Sequence, residues 1–285
     1  MGLMANLKAN KAMTLQSKGD TEGARKLYEE AIEGGMTMPR ALLGYALLLI
    51  RAGEYTKAQE VLVKTQKVPG ITAEQKSQLF MDYAVCCFKL GDIDRGVRLL
   101  ERQHNHAPTG LTYGALGYLY VEQYDLAKKD ERIAAILTKA AKATAPSADD
   151  ETEAAEETEP ASAQPAAPAI DPEKEWADGV QKTLLFNKES VDYDDEDPIC
   201  LDNLAQTYYR CLGDKETAKP FFDKAHAIKP SQIDTLWFLS RYDLEAGNTA
   251  AAIEKLETAM EGRFSPLNFT TKQMVEDELK RLKGQ

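Results

Sequence analysis

An all-α solenoid of helix-turn-helix units is the fold this sequence predicts, and three observations predict it. Glycine followed by an acid or amide recurs at Gly19-Asp20, Gly53-Glu54, Gly91-Asp92, Gly213-Asp214 and Gly247-Asn248. The spacings are 34, 38, 122 and 34 residues, and about 34 residues is the period of stacked helical hairpins. Each pair also has the same downstream company. Five residues past the glycine stands a small residue (Ala24, Ala58, Gly96, Ala218, Ala252), and nine past it a bulky one (Tyr28, Leu62, Leu100, Phe222, Leu256). Twelve past it, Ala31, Ala225 and Ala259 fit, while Thr65 and Gln103 depart. A non-repetitive bundle would have no reason to produce five coincident matches.

Each position has a physical role. Glycine tolerates the left-handed conformation that ends a first helix, and the Asp or Asn after it can cap the next helix. Glu54 is a poorer cap, so the second unit should rest more on packing. The small residue lets paired helices approach, and the bulky one fills the space between them. Pro69, Pro108, Pro230 and Pro266 stop second helices before the next unit begins.

In chain order, the first unit is expected over about 5–36, the second over 39–70 and the third over 77–108. The third follows a loop lengthened by Pro69-Gly70-Ile71-Thr72. Tyr113 to Tyr120 opens a fourth unit whose second helix has two candidates, one through Ile133, Leu137 and Ala140, the other through Val180, Leu184 and Leu185. Between them, residues 143–175 form an acidic insertion of Ala, Pro, Glu, Thr and Ser. It holds too little apolar area to offset chain entropy, so disorder is expected. A fifth unit follows over 198–230, with one extra residue before Gly213, and a sixth over 233–264. A polar amphipathic helix over 270–282, with Met274, Leu279 and Leu282 roughly on one side, should cap the array. The organisation expected is 1–142 and 176–285 as repeat-bearing regions around the insertion.

The stretch Tyr113-x-x-Leu116-Gly117-x-x-Tyr120, with Leu204, Ala205 and Tyr208 in matching places, resembles the tetratricopeptide repeat, and the likeness covers most of the chain outside its middle. The resemblance implies a superhelix whose first helices line a concave groove for extended or helical peptides. Carried over by position, that groove would display Leu43, Leu47, Arg51, Met81, Val85, Phe88, Lys89, Tyr118, Tyr209, Arg210, Trp237, Phe238 and Arg241. Aromatic residues and Arg are common interface anchors, although several of these could equally pack as core between repeats. Some members clamp acidic chaperone tails with Lys, Asn and Arg. Ala9, Met13, Gly44, Gln78 and Asp82 hold those places here, so chaperone C-terminal tails are not expected partners.

The net charge is −11, and it is uneven. Residues 146–197 carry −14, leaving +3 for the helical remainder. With no basic stripe and an insertion that repels phosphate, nucleic acid is not an expected partner. The insertion is tethered beside Arg51, Lys89, Arg210 and Arg241, and either moves freely or competes for the groove. Four cysteines (Cys86, Cys87, Cys200, Cys211) fit neither a disulfide scaffold nor a zinc spacing, so buried, reduced thiols and a cytoplasmic-type compartment are expected. The longest apolar stretch, 41–50, is too short to span a bilayer. Asn6 stands where a myristoylation motif requires Ser or Thr. An anchor upstream of this sequence would make the protein membrane-tethered.

Chemistry is sparse. His104 and His106 diverge on a helix and would share a metal poorly, and positive character near a helix C-terminus accounts for them. His226 has no partner for a triad. Residues 192–197 resemble a calcium loop without its central glycine or terminal Glu. No phosphate loop, nucleophile elbow or zinc signature occurs. The expectation is a non-catalytic scaffold or adaptor for a protein or peptide partner, without catalytic residue, metal or cofactor. The alternatives are a membrane-tethered or complex-assembly subunit, and, further off, a helical-repeat enzyme or small-ligand sensor.

Overall fold

Five glycines set the frame: Gly19, Gly53, Gly91, Gly213 and Gly247 all have φ between 68° and 89°, where a side chain would be strained. The computed structural model describes residues 2–144 and 171–284. Among these lie fourteen α-helices and no strand. They are α1 (Gly2–Ser17), α2 (Thr21–Glu33), α3 (Pro39–Arg51), α4 (Tyr55–Gln66), α5 (Ala73–Lys89), α6 (Ile93–His106) and α7 (Gly110–Gln123). After a 3₁₀ turn come α8 (Lys129–Thr144), α9 (Pro172–Tyr193), α10 (Pro198–Gln206), α11 (Lys215–Ile228), α12 (Ile233–Glu245), α13 (Thr249–Met260) and α14 (Lys272–Lys283). Pairs α1–α2, α3–α4, α5–α6, α10–α11 and α12–α13 are the hairpins; the first three pack in succession, as do the last two, and α7 with α9 joins the two sets.

The repeat positions behave as their chemistry requires. Ala24, Ala58, Ala218 and Ala252 are fully buried, as are Tyr28, Leu62, Leu100, Phe222 and Leu256. A Cβ at Gly96 would lie 2.8 Å from the Ala84 carbonyl oxygen, so even alanine is too large there. The two departures are satisfied locally. Buried Thr65 donates to the Val61 carbonyl at 2.7 Å, and Gln103 Nε2 donates to Ser77 Oγ at 3.1 Å.

Capping is more selective than the pattern suggests. Asp20, Asp92 and Asp214 accept from the backbone N–H three residues on. Asn248 makes no such bond. Glu54 does not cap either; its carboxylate takes the Arg25 guanidinium bidentately, tying the second hairpin to the first.

Both candidate second helices of the fourth unit form. α9 packs along α7 and α10, so it completes the unit, and α8 is an additional helix against α9. Their beginnings are neighbours: Lys129 Nζ meets Glu173 Oε2 at 2.8 Å, and Tyr124 lies edge-on to Trp176 at 5.6 Å. Asn187 of α9 donates to Thr207 Oγ1 at 2.9 Å, in a space that a side chain at Gly117 would fill. Helix extends to Thr144 and resumes at Pro172; the disorder expected between them falls on residues 145–170, outside the described residues.

The extra residue of the fifth unit becomes a π-turn, Thr207–Cys211. In the other Gly-acid turns the N–H of Asp20, Glu54, Asp92 and Asn248 bonds the carbonyl five residues back; that of Asp214 bonds Tyr208, six back. All four cysteines are free and buried, and burial pushes the thiols of Cys86, Cys200 and Cys211 up to about 12. No described helix is long and apolar enough to cross a membrane.

Candidate functional site

The π-turn decides what the inner face of the fifth and sixth units looks like. A single inserted residue bulges the helix and turns Arg210 inward, where it is buried. Its Nη2 lies 2.6 Å from Glu122 Oε1 and 2.6 Å from Asp125 Oδ2, and Nη1 donates to Gln206 Oε1 at 2.8 Å. Burial pushes the Glu122 carboxyl up, but Arg210, followed by Lys128 at 2.7 Å, more than reverses that. The Arg210 guanidinium also sits 4.0 Å over the Phe269 ring, and Phe269 stacks on Phe238 at 5.4 Å. Beside this cluster Arg241 covers Trp237 at 4.1 Å and pairs with Glu278 of α14 at 2.5 Å. Glu278, held first by Arg281 and then by Arg241, has its carboxyl lowered to about 2. A shallow cleft of about 500 Å³ opens between Leu126, Tyr209, Trp237 and Arg241.

The positions carried over from sequence divide by burial. Leu43, Val85, Tyr118, Arg210 and Phe238 are buried between repeats. Leu47, Met81, Phe88, Lys89, Tyr209, Trp237 and Arg241 are half-buried, and Arg51 is exposed. Tyr209, Arg210, Trp237, Phe238 and Arg241 meet in one cluster, while Met81, Phe88 and Tyr118 share a second. Leu43, Leu47 and Arg51 lie on α3, apart from both. The cations proposed to attract the acidic segment are partly committed elsewhere: Arg210 and Arg241 are ion-paired within the scaffold. Lys89 lies 4.6 Å over the Phe88 ring, with burial lowering its ammonium.

His104 corrects the reading of a cationic helix end. Its ring is buried, Nδ1 is 3.0 Å from Thr112 Oγ1, and Tyr113 and Phe186 pack on it at 4.4 and 5.2 Å. Burial lowers its pKa, so the ring is a neutral member of an aromatic cluster. Among the described residues no group of His, Cys, Asp and Glu could hold a metal ion.

Sequence reasoning missed Asp234, Leu267 and Phe269. Asp234 reads as an ordinary acid in the first turn of α12, yet its carboxylate accepts from three donors of residues 268–270. The available signal was the eleven-residue gap between α13 and α14, far longer than the three to six residues that join most other consecutive helices.

The tetratricopeptide-repeat family model matches residues 15–67. Among solved structures, TTC0263, a thermophilic TPR protein of Thermus thermophilus, aligns with TM-score 0.56 at 13% identity, over 87% of this chain and 100% of that one. PilW, a widely conserved type IV pilus biogenesis factor, aligns with TM-score 0.57 at 15% identity, over 98% of this chain and 100% of its own. Human IFIT1, solved as a dimer with m7Gppp-AAAA, aligns with TM-score 0.54 at 13% identity, over 92% of this chain and 48% of that one. No curated protein sequence matches significantly. At these identities the likeness establishes the fold.

Proposed function

We infer that this chain, whose residues 15–67 are tetratricopeptide repeats and whose whole fold is that solenoid, is a scaffold that holds a protein partner on the face made by its first helices. One observation carries the reading: Tyr209, Trp237 and Arg241 stand half-exposed around a cleft of about 500 Å³. Trp, Tyr and Arg dominate interface energetics because they bury large area and bring a polar handle. Arg241 is fixed by Glu278 and Trp237 is roofed by Arg241, so these anchors are pre-ordered and lose little entropy on binding. Comparing proteins captured by the wild type and by Trp237→Ala tests this. The expected result is a partner lost with the variant at unchanged helicity; equal capture by both overturns the reading.

A second reading, a small-ligand sensor, is favoured by one feature. A cavity of about 420 Å³ lies among Asp202, Asn203, Lys229, Gln232 and Asp234, a volume and mixed lining suited to a metabolite-sized molecule. A rise in melting temperature with one member of a metabolite panel would support it. A flat response across the panel would leave the scaffold reading alone.

A further inference from the structure

The eleven residues between α13 and α14 cross the face made by the first helices. Ser265 and Asn268 close a turn, with Asn268 N–H donating to the Ser265 carbonyl at 2.9 Å and Asn268 Oδ1 accepting from Ser265 N–H at 2.7 Å. Pro266 sits at the position of that turn which favours proline. Beyond it the chain is held like a bound ligand. Asp234 Oδ2 accepts from Phe269 N–H at 3.0 Å and Asn268 Nδ2 at 3.1 Å, and Oδ1 accepts from Thr270 N–H at 2.8 Å. The Tyr118 hydroxyl donates to the Asn268 carbonyl at 3.2 Å. The Phe269 ring fills the slot between Arg210 and Phe238. Leu267 packs against the apolar clusters of both the first and the middle units. Backbone groups are read by Asp234 and Tyr118, and side chains by two separate apolar slots.

We propose that residues 267–270 are a ligand in cis for this face, and that the site they fill takes in trans an extended peptide of the same chemistry: an apolar residue two positions before an aromatic one. This deepens the scaffold reading and rests on it for its biological meaning. Asp234 needs N–H donors, so the aromatic residue and its successor cannot be proline. A carboxylate in place of the Asn268 amide would lose the Nδ2 bond to Asp234 and set two carboxyl groups against each other. Tethering gives the cis segment a high effective concentration, and an outside peptide sees only the fraction of molecules in which the segment has left.

The test is a fluorescently labelled peptide of residues 264–271, Phe-Ser-Pro-Leu-Asn-Phe-Thr-Thr, titrated by anisotropy against the full chain and against Phe269→Ala. The variant should bind at least about tenfold more tightly than the wild type, in line with an opened site. A peptide with its second Phe changed to Ala should not bind. Equal binding to both proteins, or no binding to a variant of wild-type helicity, overturns the proposal. Asn268→Ala, which removes the side-chain bonds to Asp234 and to Ser265 N–H and so weakens the hold on the cis segment, carries the same comparison if Phe269→Ala does not fold. The two readings fail separately. Peptide binding together with partner capture indifferent to Trp237→Ala keeps the peptide site and removes the scaffold reading. Trp237-dependent capture with no peptide binding does the reverse.

Discussion

Asp82 is buried on α5 with one oxygen bonded by Gln78 at 2.8 Å and the other without a partner. Burial raises its pKa from 3.8 to about 7, against the opposing pull of Gln78 and Arg51. The folded state therefore holds an extra proton between those two values. This group's contribution to stability is fully present below pH 3.8 and is lost as pH rises towards 7. Asp82→Asn removes the titration, so it should melt higher than the wild type at pH 8 and equally at pH 4. A variant advantage that is the same at both values would show that Asp82 does not titrate in this range. Arg210 has the opposite exposure to risk. Arg210→Met strands the Glu122 and Asp125 carboxylates in the interior, and breaking a buried pair costs about 3–5 kcal/mol. Lys128 can still reach Glu122, which places the expected loss at the lower end of that range. A denaturant midpoint unchanged from wild type would contradict the burial assigned to this cluster.

At the level of helices, the repeat frame was legible because it rests on local stereochemistry. Glycine in the left-handed region, a small residue at the crossing and a bulky one beyond it can each be read without tertiary information. Ala252→Leu should force α13 from α12, at about 1–3 kcal/mol for overpacking, whereas Lys219→Ala on the exposed face of α11 should cost under about 1 kcal/mol. Equal melting temperatures for the two would mean that Ala252 is not at a helix crossing. The fourth unit was illegible because α8 and α9 are both amphipathic, and only packing decides between them. Their arrangement also limits deletion of the insertion. α8 has 16 residues and is therefore about 24 Å long, while its beginning, not its end, adjoins the beginning of α9. Joining the end of α8 to the beginning of α9 therefore takes at least roughly eight extended residues at about 3.3 Å each. Replacing residues 145–170 by a ten-residue Gly/Ser linker should preserve helicity, while removing them outright should unwind the last turns of α8. Identical circular dichroism for the two deletions would contradict that geometry.

Across the whole molecule, the chain ties its two ends together through the segment between α13 and α14. Leu267 contacts the clusters of the early units, Phe269 those of the later ones, and Glu278 of the last helix holds Arg241. Nothing in the periodicity announces this, since such contacts join residues 150 positions apart, as between Tyr118 and Asn268. The candidate face was legible in part for the same reason. Repeat register places residues on the first helices, but which of them sink into the core depends on helix approach and on the π-turn. Tyr209, Trp237 and Arg241 remain accessible, and Leu43, Val85, Tyr118 and Phe238 do not. The central claim, that partners are held on this inner face, is tested most directly by site-specific photocrosslinking. A photoreactive residue replaces Tyr209 on the inner face in one protein and Lys219, exposed on the second helix α11, in another. The account predicts partner adducts from position 209 and none from 219; adducts from 219 alone, or equally from both, would contradict it.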